Sequence, residues 1–257
     1  MVTLSARSRA FLSGYGLGIG GALLALVLGL IAALAMFALG AVGAQVSTEA
    51  RIVVLLVFGQ YVPFMGFPLA YLSVYRGFSW SDVRSYLGVR VPSLKELGFV
   101  VGGLFSVFAL VLGMSIVVQL VGVTPAENNA SQVAQQSDSL ALLLVVASLV
   151  VIGPCEETLF RGTVQNRLRE EFSAPTAITL TAVLFAAVHV TALTGGAGAR
   201  AVTIGVLLVP SFVFGITYEL TDNLVVPTLI HGTWNAMLFS LILLGGQVAE
   251  TSVVLPL

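Results

Sequence analysis

The chain has 257 residues, 58% of them apolar and only 9% charged, and its mean hydropathy is +1.04. A soluble domain carries roughly 25% charged residues, so eleven Lys+Arg and twelve Asp+Glu cannot clothe a water-soluble globule of 26.8 kDa. A net charge of −1 without a basic patch excludes a nucleic-acid binder, and one cysteine, Cys155, excludes a disulfide framework or a cysteine zinc cluster.

What remains is an all-α, polytopic transmembrane helical bundle. A span needs about 20 mostly apolar residues, because a helix rises ~1.5 Å per residue through ~30 Å of hydrocarbon. The first apolar run, Phe11 to Gly43, is longer than one span and too short for two. It reads as a single tilted or protruding helix, not a signal peptide, whose apolar core is ~7–15 residues. Its glycines (Gly14, Gly16, Gly18, Gly20, Gly21) offer small-xxx-small spacing for close helix packing. Further runs are Ile52–Tyr75, Leu97–Val121, Leu140–Ile152 with an extension, Pro175–Leu193, Ala201–Leu220 and Leu224–Gly246. Seven spans result, with an eighth, re-entrant element as the alternative. Pro210, inside the sixth, is a place for a kink or break.

Cytoplasmic loops collect Lys and Arg. With the N-terminus cytoplasmic, Arg7, Arg9, Arg76, Arg84, Arg90, Lys95, Arg161, Arg167 and Arg169 fall inside and only Arg51 and Arg200 outside, so nine against two favours that orientation. The expected location is the cell membrane. The segment Arg76–Glu96 mixes Phe78, Trp80, Tyr86 and Leu87 with basic residues, as a stretch lying in the interface would. Val123–Ser139, with Pro125, Asn128, Asn129, Gln132, Gln135 and Gln136 and no Lys or Arg, reads as a polar outer loop.

The second half holds polar residues where an apolar span is expected. Glu156, Glu157 and Arg161 follow an apolar run directly, and both histidines, His189 and His231, lie inside spans, with Asn235 one turn after His231. A charged side chain near the middle of a membrane helix costs ~2.5–3.5 kcal/mol on insertion scales, which makes such residues functional candidates. Plainer readings exist. Glu157 and Arg161, spaced i, i+4, can form a structural ion pair, and a lone intramembrane histidine can be a packing residue. Glu156 points ~100° away from Glu157 and needs a partner of its own. If the chain turns near residue 172, Glu156 lies 16 residues before the tip and His189 17 after it. At ~1.5 Å per residue both then sit roughly 24–26 Å from the tip. His231 reaches the same level if that tip projects ~12 Å into the cytoplasm.

A carboxylate withdrawn from water beside two imidazoles suits general-base chemistry. Glu156 with His189 would deprotonate a water, His231 and Asn235 would donate hydrogen bonds to the resulting oxyanion, and Glu157 with Arg161 would support them. Alternatively Glu156, His189 and His231 would ligate a divalent metal such as zinc and leave a position for water. Both routes are hydrolytic. HExxH is absent, as is a nucleophile in a Gly-x-Ser-x-Gly context.

The pattern EExxxR (Glu156–Arg161), FxxxH (Phe185–His189) and HxxxN (His231–Asn235) resembles the CPBP family of intramembrane proteases: CAAX prenyl endopeptidases and abortive-infection or bacteriocin-processing proteins. The resemblance implies a catalytic transmembrane core over residues 139–250, with residues 1–138 as additional N-terminal helices. It implies an intramembrane endopeptidase in which Glu156 and His189 activate water and His231 and Asn235 bind the oxyanion. The family is commonly labelled metalloprotease, and a metal-independent glutamate mechanism is also held for it; no cofactor is certain. Asn is a poor zinc ligand and a good oxyanion donor, which favours the glutamate route. The family often shows eight spans, against the seven read here. A peptide or membrane-protein substrate and the lipid bilayer are the expected partners. The competing functions are a catalytically idle membrane scaffold or immunity protein and, less favoured, a proton-coupled transporter.

Overall fold

The computed structural model describes residues 4–245. Gly246, expected to end the last span, and residues 246–250 of the C-terminal unit lie outside the described residues. Seven helices are long and apolar enough to cross a membrane: α1 (Ala6–Ala41), α2 (Thr48–Tyr75), α4 (Leu94–Val121), α6 (Asp138–Arg169), α7 (Ala174–Ala192), α8 (Ala197–Thr221) and α9 (Val225–Gly245). Two short helices, α3 (Trp80–Leu87) and α5 (Asn129–Ala134), lie in the connections. The first apolar run is one helix of 36 residues, as its length requires.

Helix starts follow the serines. Ser5, Ser47 and Ser137 each accept from the N–H three residues on. Ser79 and Ser93 form capping boxes with Asp82 and Glu96. Prolines sit inside the membrane helices α2, α6 and α8 without ending them. A proline ring crowds the carbonyl four residues back and offers no N–H. Around Pro63 the helix therefore widens to i→i+5 turns over Val57–Gly66. Just before Pro154 the Gly153 N–H reaches the Ser148 carbonyl, so α6 continues to Arg169. Helix α8 runs on through Pro210, where a break was a possibility.

α6 and α8 run parallel in register. Arg161 bonds to Ser211, Gln165 Nε2 donates to the Gly215 carbonyl, and Arg169 pairs with Glu219, each partner 50 residues on and each step one helical turn. The last helix crosses α6 closely. A Cβ on Gly232 would stand 2.8 Å from the Ser148 carbonyl oxygen, and one on Gly153 would stand 3.0 Å from Gly232 Cα. Helix α1 covers α6 and α7 with the stripe Gly14, Gly18, Gly21. A Cβ on Gly18 would lie 2.5 Å from Leu184 Cδ2, and one on Gly21 2.8 Å from Leu159 Cδ2. Gly16 and Gly20 lie outside that stripe, the former with open space around it. Leu17 and Phe64 thereby join Leu159, Phe160, Val164, Leu184 and Phe185 in one packed cluster. The opposite faces of α1 and α4 carry exposed apolar side chains such as Leu30, Phe37, Val101 and Phe105, the dress of a lipid-facing surface.

The connections are more structured than loops need be. In Arg76–Glu96 the helix α3 buries Val83 and Leu87 against Leu72, Tyr218 and Leu224, while Trp80 stays 71% exposed. Leu87 seats against Gly162. The basic residues of this end are tied together: Arg76 and Arg167 both pair with Glu170, to which Tyr86 also donates. The polar connection between α4 and α6 folds back onto the bundle. Thr194 N–H donates to the Glu127 carbonyl at 2.9 Å, Ala126 N–H to Ala199 at 3.1 Å, and Asn128 pairs antiparallel with Leu193.

Candidate active site

The widened turns of α6 flank the acidic pair: one lies over Ser148–Ile152, the next begins at Thr158, and Glu156 and Glu157 stand between them, both buried. Such turns recur at functional sites because they redirect side chains within an otherwise regular helix. His189 begins the tightened last turn of α7. His231 is in the second turn of α9, directly before the Gly232 contact that draws α9 onto α6.

These residues meet. Glu156 Oε2 lies 3.7 Å from His189 Nε2 and 3.8 Å from His231 Nε2. The other ring nitrogens are fixed by their partners. His189 Nδ1 faces the Phe185 carbonyl oxygen at 2.6 Å, and His231 Nδ1 faces Glu157 Oε1 at 2.7 Å. A carbonyl or carboxylate oxygen only accepts, so each Nδ1 carries a hydrogen. Each Nε2 then turns toward Glu156 with a lone pair in the neutral ring, or with an N–H in the imidazolium.

Behind this trio stands Arg161, fully buried. Its Nε is 3.3 Å from Glu157 Oε2, an ion pair without hydrogen-bond alignment, and one terminal nitrogen donates to Ser211 Oγ at 2.8 Å and to the Ser211 carbonyl at 3.0 Å. The guanidinium carbon lies 4.7 Å from the Phe185 ring centroid and 5.3 Å from that of Phe214, so two aromatic faces supply part of its solvation. Phe214 also stacks on His231 with centroids 4.7 Å apart, and Phe185 lies 4.5 Å from the His189 ring. Phe185, the aromatic of FxxxH, also meets the His231 ring edge-on at 5.9 Å, and so braces three members of the site at once. Asn235 lines the same cavity of about 390 Å3 as Glu156, His189 and His231.

Sequence reasoning missed three contributors. Gln60 donates from Nε2 to Glu156 Oε1 at 3.0 Å; its signal was that it is the only amide in the apolar run Ile52–Tyr75. Ser211 and Phe214 carried no signal, being ordinary membrane-helix residues. Asn128, Asn129 and Ser131, from the loop between α4 and α6, also line the cavity.

A metal at this site would use Glu156 Oε2, His189 Nε2 and His231 Nε2 as its donors. Tetrahedral ligands about 2.0–2.1 Å from zinc stand about 3.4 Å from one another, and the carboxylate–imidazole separations of 3.7 and 3.8 Å are wider than that. Among the described residues no group of three or more His, Cys, Asp or Glu side chains is arranged to hold a metal ion. As placed, these donors stand wider apart than a bound zinc ion would hold them.

Residues 138–237 match the family model described as Type II CAAX prenyl endopeptidase Rce1-like. The chain is similar to this family over that stretch. The Rce1-like stretch contains every residue of the three motifs, from Glu156 to Asn235, and excludes Gln60 and all of α1 to α5. No curated protein and no solved structure matches the chain.

Proposed function

We propose that this is an intramembrane endopeptidase that hydrolyses a peptide bond with a water activated by Glu156 and His189 and an oxyanion site from His231 and Asn235. The observation that carries the reading is the placement of Glu156 Oε2 within 3.7–3.8 Å of two imidazole nitrogens in a buried cavity. Glu156 Oε2 and His189 Nε2 are two acceptors facing one space, and water has two hydrogens to offer. Glu156 takes a proton as the water oxygen attacks the carbonyl carbon, and returns it to the departing nitrogen. Asn235 and the imidazolium of His231 donate to the oxygen that becomes negative. Glu157 holds His231 by Nδ1 and supports its charged form, as the carboxylate of a catalytic triad does for its histidine. Arg161 pairs with Glu157 in turn and holds it in place. His189 orients the water through Nε2 while its Nδ1 is held by the backbone.

The proposed orientation puts α3 and the basic end in the cytoplasm of a cell membrane. Seven spans then alternate from a cytoplasmic N-terminus. Leu87 of α3 rests on Gly162, six residues past Glu156, so the carboxylate lies roughly 9 Å deeper than the interface helix. The proposed substrate is a peptide segment reaching that depth, with a prenylated C-terminal peptide as the first to try, given the description of the family. The test is cleavage of a fluorogenic peptide library, prenylated members included, by purified protein beside Glu156→Gln. Loss of a general base is expected to lower kcat a hundredfold or more, on the order of 10²–10⁴. Equal cleavage by both proteins would overturn the reading.

A further inference from the structure

We infer that Gln60, on α2 and outside the Rce1-like stretch, is a positioning residue for Glu156; the inference rests on the hydrolase reading of the site. Gln60 lines the reaction cavity and donates its Nε2–H to Glu156 Oε1 at 3.0 Å. This is the single hydrogen bond that Glu156 makes among the described side chains, since the two imidazole nitrogens stand beyond hydrogen-bond distance at 3.7 and 3.8 Å. A carboxylate rotates about its terminal bond unless something holds it. By engaging Oε1, the amide leaves Oε2 as the oxygen turned toward His189 and His231.

Two further observations set Gln60 apart from a packing amide. Its own Oε1 is buried without a partner among the described residues, an unfavourable arrangement kept in a site rather than repaired. It also lies in the widened stretch Val57–Gly66 around Pro63, which redirects its side chain. The segment that packs against α6 from outside the catalytic domain therefore supplies a hydrogen-bond donor to the oxygen of the carboxylate that does not face the imidazoles.

The experiment uses the full chain in detergent with Gln60→Leu and the near-isosteric Gln60→Glu. Kinetics are measured on a peptide that wild type cuts and Glu156→Gln does not. Labelling of Glu156 by dicyclohexylcarbodiimide, a lipid-soluble carboxyl reagent, is followed by mass spectrometry. Gln60→Leu is expected to lower kcat about tenfold with KM within about twofold, and to label Glu156 about tenfold faster, the effect of losing one hydrogen bond to a charged group. Gln60→Glu is expected to stay active on the acid side, where two carboxyl groups share one proton and the new one donates, and to lose activity as pH rises and both ionise. A merely structural role would not move that profile. An unchanged labelling rate in Gln60→Leu overturns the inference whatever happens to kcat, and so does faster labelling with wild-type kcat. If wild type cuts no peptide at all, the hydrolase reading fails, and the labelling rate still decides whether Gln60 holds Glu156.

Discussion

His231 Nδ1 donates to Glu157 Oε1 across 2.7 Å, joining two helices whose residues are 74 apart in sequence. The bond converts adjacent glutamates into groups with separate tasks: one faces the cavity, the other faces inward to Arg161 and to the imidazole. Neutralising Glu157 therefore strikes two partners at once. Glu157→Gln leaves Arg161 charged, buried and unpaired, an arrangement that costs about 3–5 kcal/mol when one partner of a buried pair is removed. The expected outcome is a lower unfolding midpoint in detergent than that of Glu156→Gln. The double substitution Glu157→Gln with Arg161→Met is expected to recover part of the stability and none of the activity. Differential scanning fluorimetry of the four proteins checks this.

The close crossing of α6 and α9 makes a second, purely steric prediction. A methyl group on Gly232 meets the Ser148 carbonyl oxygen at 2.8 Å, and backbone cannot step aside as a side-chain tip can. Gly232→Ala is expected to push α9 outward and lengthen the His231–Glu157 bond, lowering kcat at least tenfold while the protein still inserts. Gly16→Ala, with open space around it, is expected to match wild type. Equal activity in the two variants would show that the crossing does not set the site.

Removal of divalent metal is expected to leave peptide cleavage intact. The donor separations of 3.7 and 3.8 Å are wider than those of zinc-bound ligands, and the mechanism proposed uses Glu156 alone as the base. Dialysis against a chelator, followed by elemental analysis of the active protein, checks this. Activity that vanishes on chelation and returns with added zinc would mean that the three groups close onto an ion.

Much of this arrangement was legible in the sequence because helices convert residue number into height. Counting back from the turn near residue 172 placed Glu156 and His189 at one level, and their side chains are in fact 3.7 Å apart. The spacing of Glu157 and Arg161 gave their ion pair, and the glycines of the first run gave a packing face, although only Gly14, Gly18 and Gly21 form it. The partner of His231 was not legible. Helical spacing pairs it with Asn235 on one face, whereas the choice of Glu157 over Glu156 for Nδ1 depends on how far α9 turns as it crosses α6. Pro210 reads as a place for a kink or break, yet α8 runs on through it. Gln60 was hidden for another reason: no arithmetic along one hairpin reveals what a third helix brings to it.

The placement of α1 and α2 bears on how small a working unit can be. The region matched to the family begins at residue 138, but Ala22, Leu26 and Phe64 wall one side of the cavity from outside it. In water, stripping those helices away would expose apolar surface. In a bilayer the hydrocarbon is as apolar as the side chains it replaces, so the loss is of packing and not of a hydrophobic drive. The breach would be filled by acyl chains, which would flood the chamber where a water molecule has to be held still. The two leading helices are thus a bulkhead between lipid and reaction chamber, and a chain trimmed to its recognisable domain would keep every motif and lose the dry wall behind which they work.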